Sequence, residues 1–193
     1  MTEVSVVIPT LNEEETIAIC INKVKKVFEE NNIDGEIIVS DSSTDKTPEI
    51  AKSLGAKVIY PKKRGYGNAY IEGFNSAKGK YLVMGDADDT YDFLEIPKFL
   101  DPLKKKEADF VIGSRFKGEI KKGAMPWLHR HIGNPVLTKI LNILFHTGVS
   151  DAHCGMRGFT KEAWKKIDLK TGGMEFASEM VIKASKKKLR IKE

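Results

Sequence analysis

EIIVSDSSTDKTPEIAKSL, residues 36–54, contains one complete repeat of the fold. EIIVS (36–40) is a short β-branched run of strand type, DSSTD (41–45) is turn-forming, and Thr47-Pro48 places a proline in the first turn of a following helix. The same alternation extends in both directions. VSVVIP (4–9), KVIY (57–60), KYLVMG (80–85) and DFVIGS (109–114) read as further strands, and residues 13–31, 46–54, 66–77 and 92–106 carry helical periodicity. Strands alternating with helices predict an α/β fold built on a parallel sheet.

In open α/β sheets, ligands collect at the carboxyl ends of the strands. Here those ends read, in order, PTLNEEE (9–15), DSSTD (41–45), PKKRGYGNA (61–69), DADDTYD (86–92) and SRFKG (114–118), so the polar and charged residues gather on one edge. After residue 116 the alternation stops, and WLHRHIGNPVLTKILNILFH (127–146) is an amphipathic stretch interrupted near Gly133-Asn134-Pro135. The chain is expected to form a single domain over 1–193, with a first part over 1–115 and a second over 116–193.

Composition narrows the function classes. The hydrophobic content of 41% is that of a folded protein. Cys20 and Cys154 show no CxxC spacing, which argues against a disulfide framework or a thiolate zinc site and favours a reducing, cytoplasmic setting. The N-terminus has no signal-peptide pattern, and no apolar run approaches the roughly 20 residues of a spanning helix. Net charge is −5 over residues 1–100 and +10 over 101–193, together the overall +5. That division suggests cation binding in the first part and an anionic partner for the second.

The acidic loop admits several chemistries. An EF-hand beginning at Asp86 needs glycine at its sixth position and glutamate at its twelfth, where this chain has Tyr91 and Pro97. A haloacid-dehalogenase-like phosphatase would use Asp86 as nucleophile and Asp88 as acid/base, but the acidic pair it needs after a later strand does not follow. The third chemistry is a DxD pair, Asp86 and Asp88, holding Mg2+ or Mn2+ that bridges a diphosphate. Asp92 reads as a helix cap, and Asp89 has no assignment. A non-catalytic basic module on membrane or nucleic acid is the alternative from another class, although nothing in the chain has a nucleic-acid recognition signature.

Taken together, VVIPTLNEEETI, IIVSDSSTDKTPEIA, RGYGNAY, YLVMGDADDTYD and DFVIGSRF form an ordered series that resembles family 2 glycosyltransferases. GAMPWLHRHIGNPVLTKILN followed by VSDAHCGMRGF is similar to the branch of dolichol-phosphate mannose synthases and their glucose and N-acetylglucosamine counterparts. The resemblance covers nearly the whole chain. It implies a GT-A fold, a Rossmann-like mixed sheet of mainly parallel strands flanked by helices on both faces. It also implies hexose transfer from GDP-mannose, UDP-glucose or UDP-N-acetylglucosamine to a polyprenyl phosphate, metal-dependent and inverting.

On that resemblance Pro9, Thr10, Asn12 and Glu13 line the nucleotide pocket, Asp41 meets the base or ribose, and Arg64, Gly65 and Gly67 form the adjoining loop. Asp86 and Asp88 match the metal site, with Thr90 where mannose synthases often carry glutamine, and Arg115 matches an arginine approaching the phosphates. Trp127, Arg130 and Asn134 fall where the acceptor phosphate is held, Asp151, Gly155 and Arg157 match a DxxxGxR motif closing the site, and Glu179 matches an acidic position on the acceptor side. Asp88, Arg115 and Arg130 are the expected catalytic residues; Arg130, Asn134, Arg157 and Glu179 are the expected acceptor residues. A lipid acceptor further implies contact with a membrane surface, at its cytoplasmic face, through VLTKILNILF (136–145) and nearby Lys117, Lys121, Lys122 and Arg130. Relatives continue past the LRIKE end into another strand and often into membrane helices; a full-length member and a truncated segment would read the same here, and truncation would leave an open sheet edge and an incomplete acceptor site.

Overall fold

A computed structural model describes residues 2–116 and 133–193 of the protein. Its strands are β1 (Val4–Thr10), β2 (Gly35–Asp41), β3 (Lys57–Ile59), β4 (Tyr81–Met84), β5 (Phe110–Ile112), β6 (Arg157–Thr160) and β7 (Ile191–Lys192). They form one sheet in the order β3-β2-β1-β4-β6-β5-β7. Every pairing is parallel except those of β6, which runs antiparallel to both β4 and β5. The expected mixed, mainly parallel sheet is therefore present.

The helices are α1 (Ile17–Glu30), α2 (Thr47–Ser53), α3 (Tyr66–Ser76), α4 (Ile96–Lys104), α5 (Asn134–Phe145), α6 (Lys161–Ile167) and α7 (Phe176–Lys186). They fall into two groups, α1 touching α2 and α4, and α7 touching α3, α5 and α6. Central strands are consequently buried on both faces: Val4, Val6, Val7 and Ile8 of β1 have no exposed surface. That explains why β1 reads as a continuous apolar run and not an alternating one. An aromatic layer of Tyr70, Phe74, Phe159 and Phe176 ties α3 and α7 to β6, with the Tyr70 and Phe176 rings stacked at 5.5 Å.

Register brings the polar strand ends together. Val4 of β1 faces Gly35 of β2 and Tyr81 of β4, so Thr10 lies opposite Asp41, and β4 ends level with Val7, just before Gly85-Asp86. The helix expected over 92–106 is divided. Asp92 accepts a hydrogen bond from the Leu94 N–H at 3.2 Å and caps a 3-10 turn at Phe93–Glu95, after which Pro97 occupies the first turn of α4. Asp92 is thus the cap its position predicted.

Sequence patterning missed the last four elements, β6, α6, α7 and β7. Arg157-Gly158-Phe159-Thr160 has no strand signature, and it pairs because β4 and β5 each offer it an edge. The lysine-rich tail supplies β7, which adds to β5 in parallel. That side of β5 is thereby covered, and β7 ends the sheet. Arg190 fastens this junction with two hydrogen bonds to the Asp109 carboxylate, at 3.0 and 2.7 Å.

Candidate active site

The loops after β1, β2 and β4, together with the start of α3, enclose a cavity of about 570 Å³. Seven of the expected residues line it: Pro9, Thr10, Glu13, Arg64, Gly65, Asp86 and Asp88. Arg64 and Asp88 are exposed.

Asn12, Asp41 and Gly67 serve the cavity from behind. Asn12, in the left-handed region at φ 62°, accepts hydrogen bonds from the Thr44 N–H and hydroxyl, and its own N–H donates to Ser43 Oγ at 2.8 Å. The β1 and β2 loops are thereby locked together. Asp41 is 2% exposed; one oxygen accepts from Thr10 Oγ1 at 2.7 Å, and Oδ2 is buried without a partner. A buried carboxylate oxygen left in that condition is costly and suits a ligand donor. Gly67 is a packing glycine, because a Cβ there would lie 2.3 Å from the Thr171 carbonyl oxygen.

The two aspartates of the DxD pair differ in environment. Asp86 is half-buried, its Oδ1 accepting from the hydroxyls of Tyr66 and Tyr70, each at 3.0 Å. Its Oδ2 sits where a side chain at position 155 would have to be, 2.6 Å from a Cβ built on Gly155. Burial pushes its pKa up, against the two tyrosine hydroxyls, with the neighbouring Asp88 charge also raising it and Arg157 lowering it. Asp88 is exposed in the cavity lining and among the described residues accepts only the Thr90 N–H, at 2.9 Å. Tyr66 and Tyr70 were missed, although the RGYGNAY segment carries both; what identifies them is their meeting with Asp86 across the fold.

Among the described residues no cluster of three His, Cys, Asp or Glu side chains could hold a metal alone. Two carboxylates beside an open cavity do fit a hard cation that takes its other ligands from water and a bound diphosphate, so the donor set suits Mg2+ or Mn2+.

Three expected site residues take partners within the fold. Arg115 does not extend freely toward the cavity. Its Nε and one terminal nitrogen donate to the fully buried Asp151 carboxylate at 2.7 and 2.8 Å. Burial would raise the Asp151 pKa, but the Arg115 hydrogen bonds and charge hold it below the usual carboxylate range. Arg157 is fully buried and cannot touch an acceptor; its guanidinium donates to the carbonyls of Cys154, Ala177 and Ala152 at 2.9, 2.9 and 3.1 Å. A buried cation needs that full set of acceptors.

Glu179, half-buried, is also engaged by neighbouring groups. It accepts from the Lys170 and Thr171 N–H groups and from Thr171 Oγ1, and pairs with Lys183 at 2.7 Å. Its pKa falls to about 2, because these bonds outweigh the burial that would raise it. The clamped segment matters to the cavity. The Gly172 carbonyl accepts the Asn68 N–H at 3.1 Å, and Met174, 70% exposed, forms part of the cavity wall. Asn134 begins α5, while Trp127 and Arg130 lie outside the described residues.

Comparison with known proteins agrees with this arrangement. The family model described as glycosyl transferase family 2 matches residues 5–168. The chain belongs to glycosyl transferase family 2. Hexosyltransferase Agl6 of low-salt glycan biosynthesis in Haloferax volcanii is 56% identical to this family 2 chain over 189 residues, covering 98% of the chain and 46% of the relative. A dolichyl-phosphate hexose transferase of the same organism is 33% identical over 193 residues, covering 99% and 80%. The chain thus spans less than half the length of the first relative. Among solved structures, glucosyl-3-phosphoglycerate synthase from Mycobacterium tuberculosis, in complex with Mn2+, UDP and glucosyl-3-phosphoglycerate, superposes with a TM-score of 0.76 at 24% identity, covering 99% of this chain and 68% of that one. Family 2 membership and the GT-A fold displace the haloacid-dehalogenase-like phosphatase as a description of the chain.

Proposed function

We propose that this family 2 glycosyltransferase moves a hexose from a nucleotide sugar to a polyprenyl phosphate, with inversion and with Mg2+ or Mn2+. The observation that carries the reading is the pairing of an exposed Asp88 with a tyrosine-anchored Asp86 in the lining of one cavity, where Thr10 also lies, its hydroxyl bonded to a buried Asp41 whose other oxygen has no partner among the described residues. Asp41 would receive a donor hydrogen from the nucleoside, and Arg64 would meet phosphate. The cation, when bound, neutralises charge on the donor diphosphate.

In this reading an acceptor phosphate oxygen bonds to the anomeric carbon as the bond from that carbon to the diphosphate breaks. The electron pair leaves with the nucleoside diphosphate. A phosphate monoester is largely ionised near neutral pH, with a second pKa of about 6, so this nucleophile calls for positioning and not for a general base. In this reading Asp88 orients the donor.

Helix α5 supports a lipid partner at a membrane surface. Val136, Leu137, Ile140, Ile143 and Leu144 are each 45–63% exposed, while only Thr138 of the helix is buried. No helix among the described residues is long and apolar enough to cross a membrane. A stripe of this kind suits a helix lying in the headgroup region, at the cytoplasmic face in this reading.

Transfer of labelled sugar from GDP-mannose, UDP-glucose and UDP-N-acetylglucosamine to dolichyl phosphate, with and without Mn2+, tests the proposal. Metal-dependent formation of a lipid-linked hexose by the wild type, lost in Asp88→Ala, is expected. Transfer that ignores the metal, or no lipid-linked product from any donor, sinks it.

A further inference from the structure

The loop after β4 carries two further carboxylates, Asp89 and Asp92, that do not line the cavity. Both turn toward α1. Lys23 Nζ lies 2.8 Å from Asp89 Oδ1 and 3.3 Å from Asp92 Oδ1. Asp89 takes the left-handed conformation, φ 58°. One turn earlier on α1, Cys20 Sγ donates to the Ala87 carbonyl oxygen at 3.3 Å. One face of α1 thus holds the loop both between the DxD aspartates and beyond them.

We infer that Lys23 keeps Asp89 out of the cation site, so that Asp86 and Asp88 alone meet the donor. This rests on the donor-site reading above. The reason is charge. A divalent cation on two carboxylates forms a neutral unit that a diphosphate can approach, whereas a third carboxylate leaves a net negative unit that repels it. Asp89 is adjacent to Asp88 in the chain, and Lys23 is what its carboxylate pairs with instead of the ion. Lys23 is accordingly a positioning residue that tunes the site through Asp89 and never touches the donor.

The test is calorimetric binding of Mn2+, and of UDP and GDP in its presence, to the wild type, Lys23→Met, Lys23→Arg, Asp89→Asn and the Lys23→Met/Asp89→Asn double variant. Lys23→Met is expected to bind Mn2+ more tightly and the nucleotide about tenfold more weakly, the scale of one added charge a few ångströms away. Lys23→Arg and Asp89→Asn should match the wild type, and the double variant should regain wild-type nucleotide affinity. Unchanged nucleotide binding in Lys23→Met overturns the inference. So does a double variant as weak as Lys23→Met, because then the lysine only supports the loop. A wild type that binds neither nucleotide with Mn2+ overturns the donor-site reading itself, and the inference with it.

Discussion

Arg115 and Asp151 form a two-point ion pair, with Nε to Oδ2 at 2.7 Å and a terminal nitrogen to Oδ1 at 2.8 Å, in which the carboxylate is wholly buried. The Arg115 backbone N–H also reaches Oδ2, at 3.2 Å. Breaking such a pair from the buried side leaves an uncompensated cation. Asp151→Asn should lower unfolding free energy by about 3 kcal/mol in urea denaturation. Arg115→Lys should lose stability as well, because an ammonium cannot copy the planar fork.

Asp86 and Asp88 should separate under mutation. Asp88→Ala removes an exposed side chain, so its unfolding free energy should stay within about 0.5 kcal/mol of wild type while Mn2+-dependent nucleotide binding disappears. Asp86→Ala strands the Tyr66 and Tyr70 hydroxyls in the interior and should cost about 1–3 kcal/mol besides its effect on binding. Paired thermal melts and titrations distinguish the two.

Glu179 predicts a pH effect. Its pKa falls from 4.5 to about 2 on folding, so the folded protein binds fewer protons there than the unfolded chain does in that window. The stability it contributes is complete above about pH 4.5 and is lost as pH falls toward 2. Glu179→Gln should flatten that part of the acid-unfolding curve. It should also raise the donor KM more than it lowers kcat, since the segment it clamps forms part of the cavity wall.

Gly67→Ala tests the packing of that same wall. A Cβ at position 67 would sit 2.3 Å from the Thr171 carbonyl oxygen, so the loop must move. A loss of about 1–3 kcal/mol is expected in chemical denaturation, with weakened donor binding.

Ile140→Glu with Ile143→Glu tests the proposed lipid contact. Both positions are exposed, at 45% and 63%, so the double variant should fold with unchanged melting temperature. Its co-sedimentation with anionic phospholipid vesicles should fall about tenfold or more, while nucleotide binding with Mn2+ holds. Vesicle binding equal to wild type would remove α5 from the membrane face.

The strand and helix series through residue 112 was readable from sequence, because each element there carries its own period and each turn its own breakers. So were the cavity-lining residues Pro9, Thr10, Glu13, Arg64, Asp86 and Asp88, since a parallel sheet brings strand ends to one edge whatever the side chains do afterward. Tertiary structure alone decided what the charged groups face. Arg115, Arg157 and Glu179 look alike in sequence as ligands for phosphate or acceptor; the fold turns each toward an internal partner, because a buried charge must be matched. The Lys23–Asp89 contact joins residues 66 positions apart, and β6 pairs across strands that lie far from it in the chain. Local patterns carry no record of such meetings. They arise only when the sheet closes and each polar group finds what lies within about 3 Å of it.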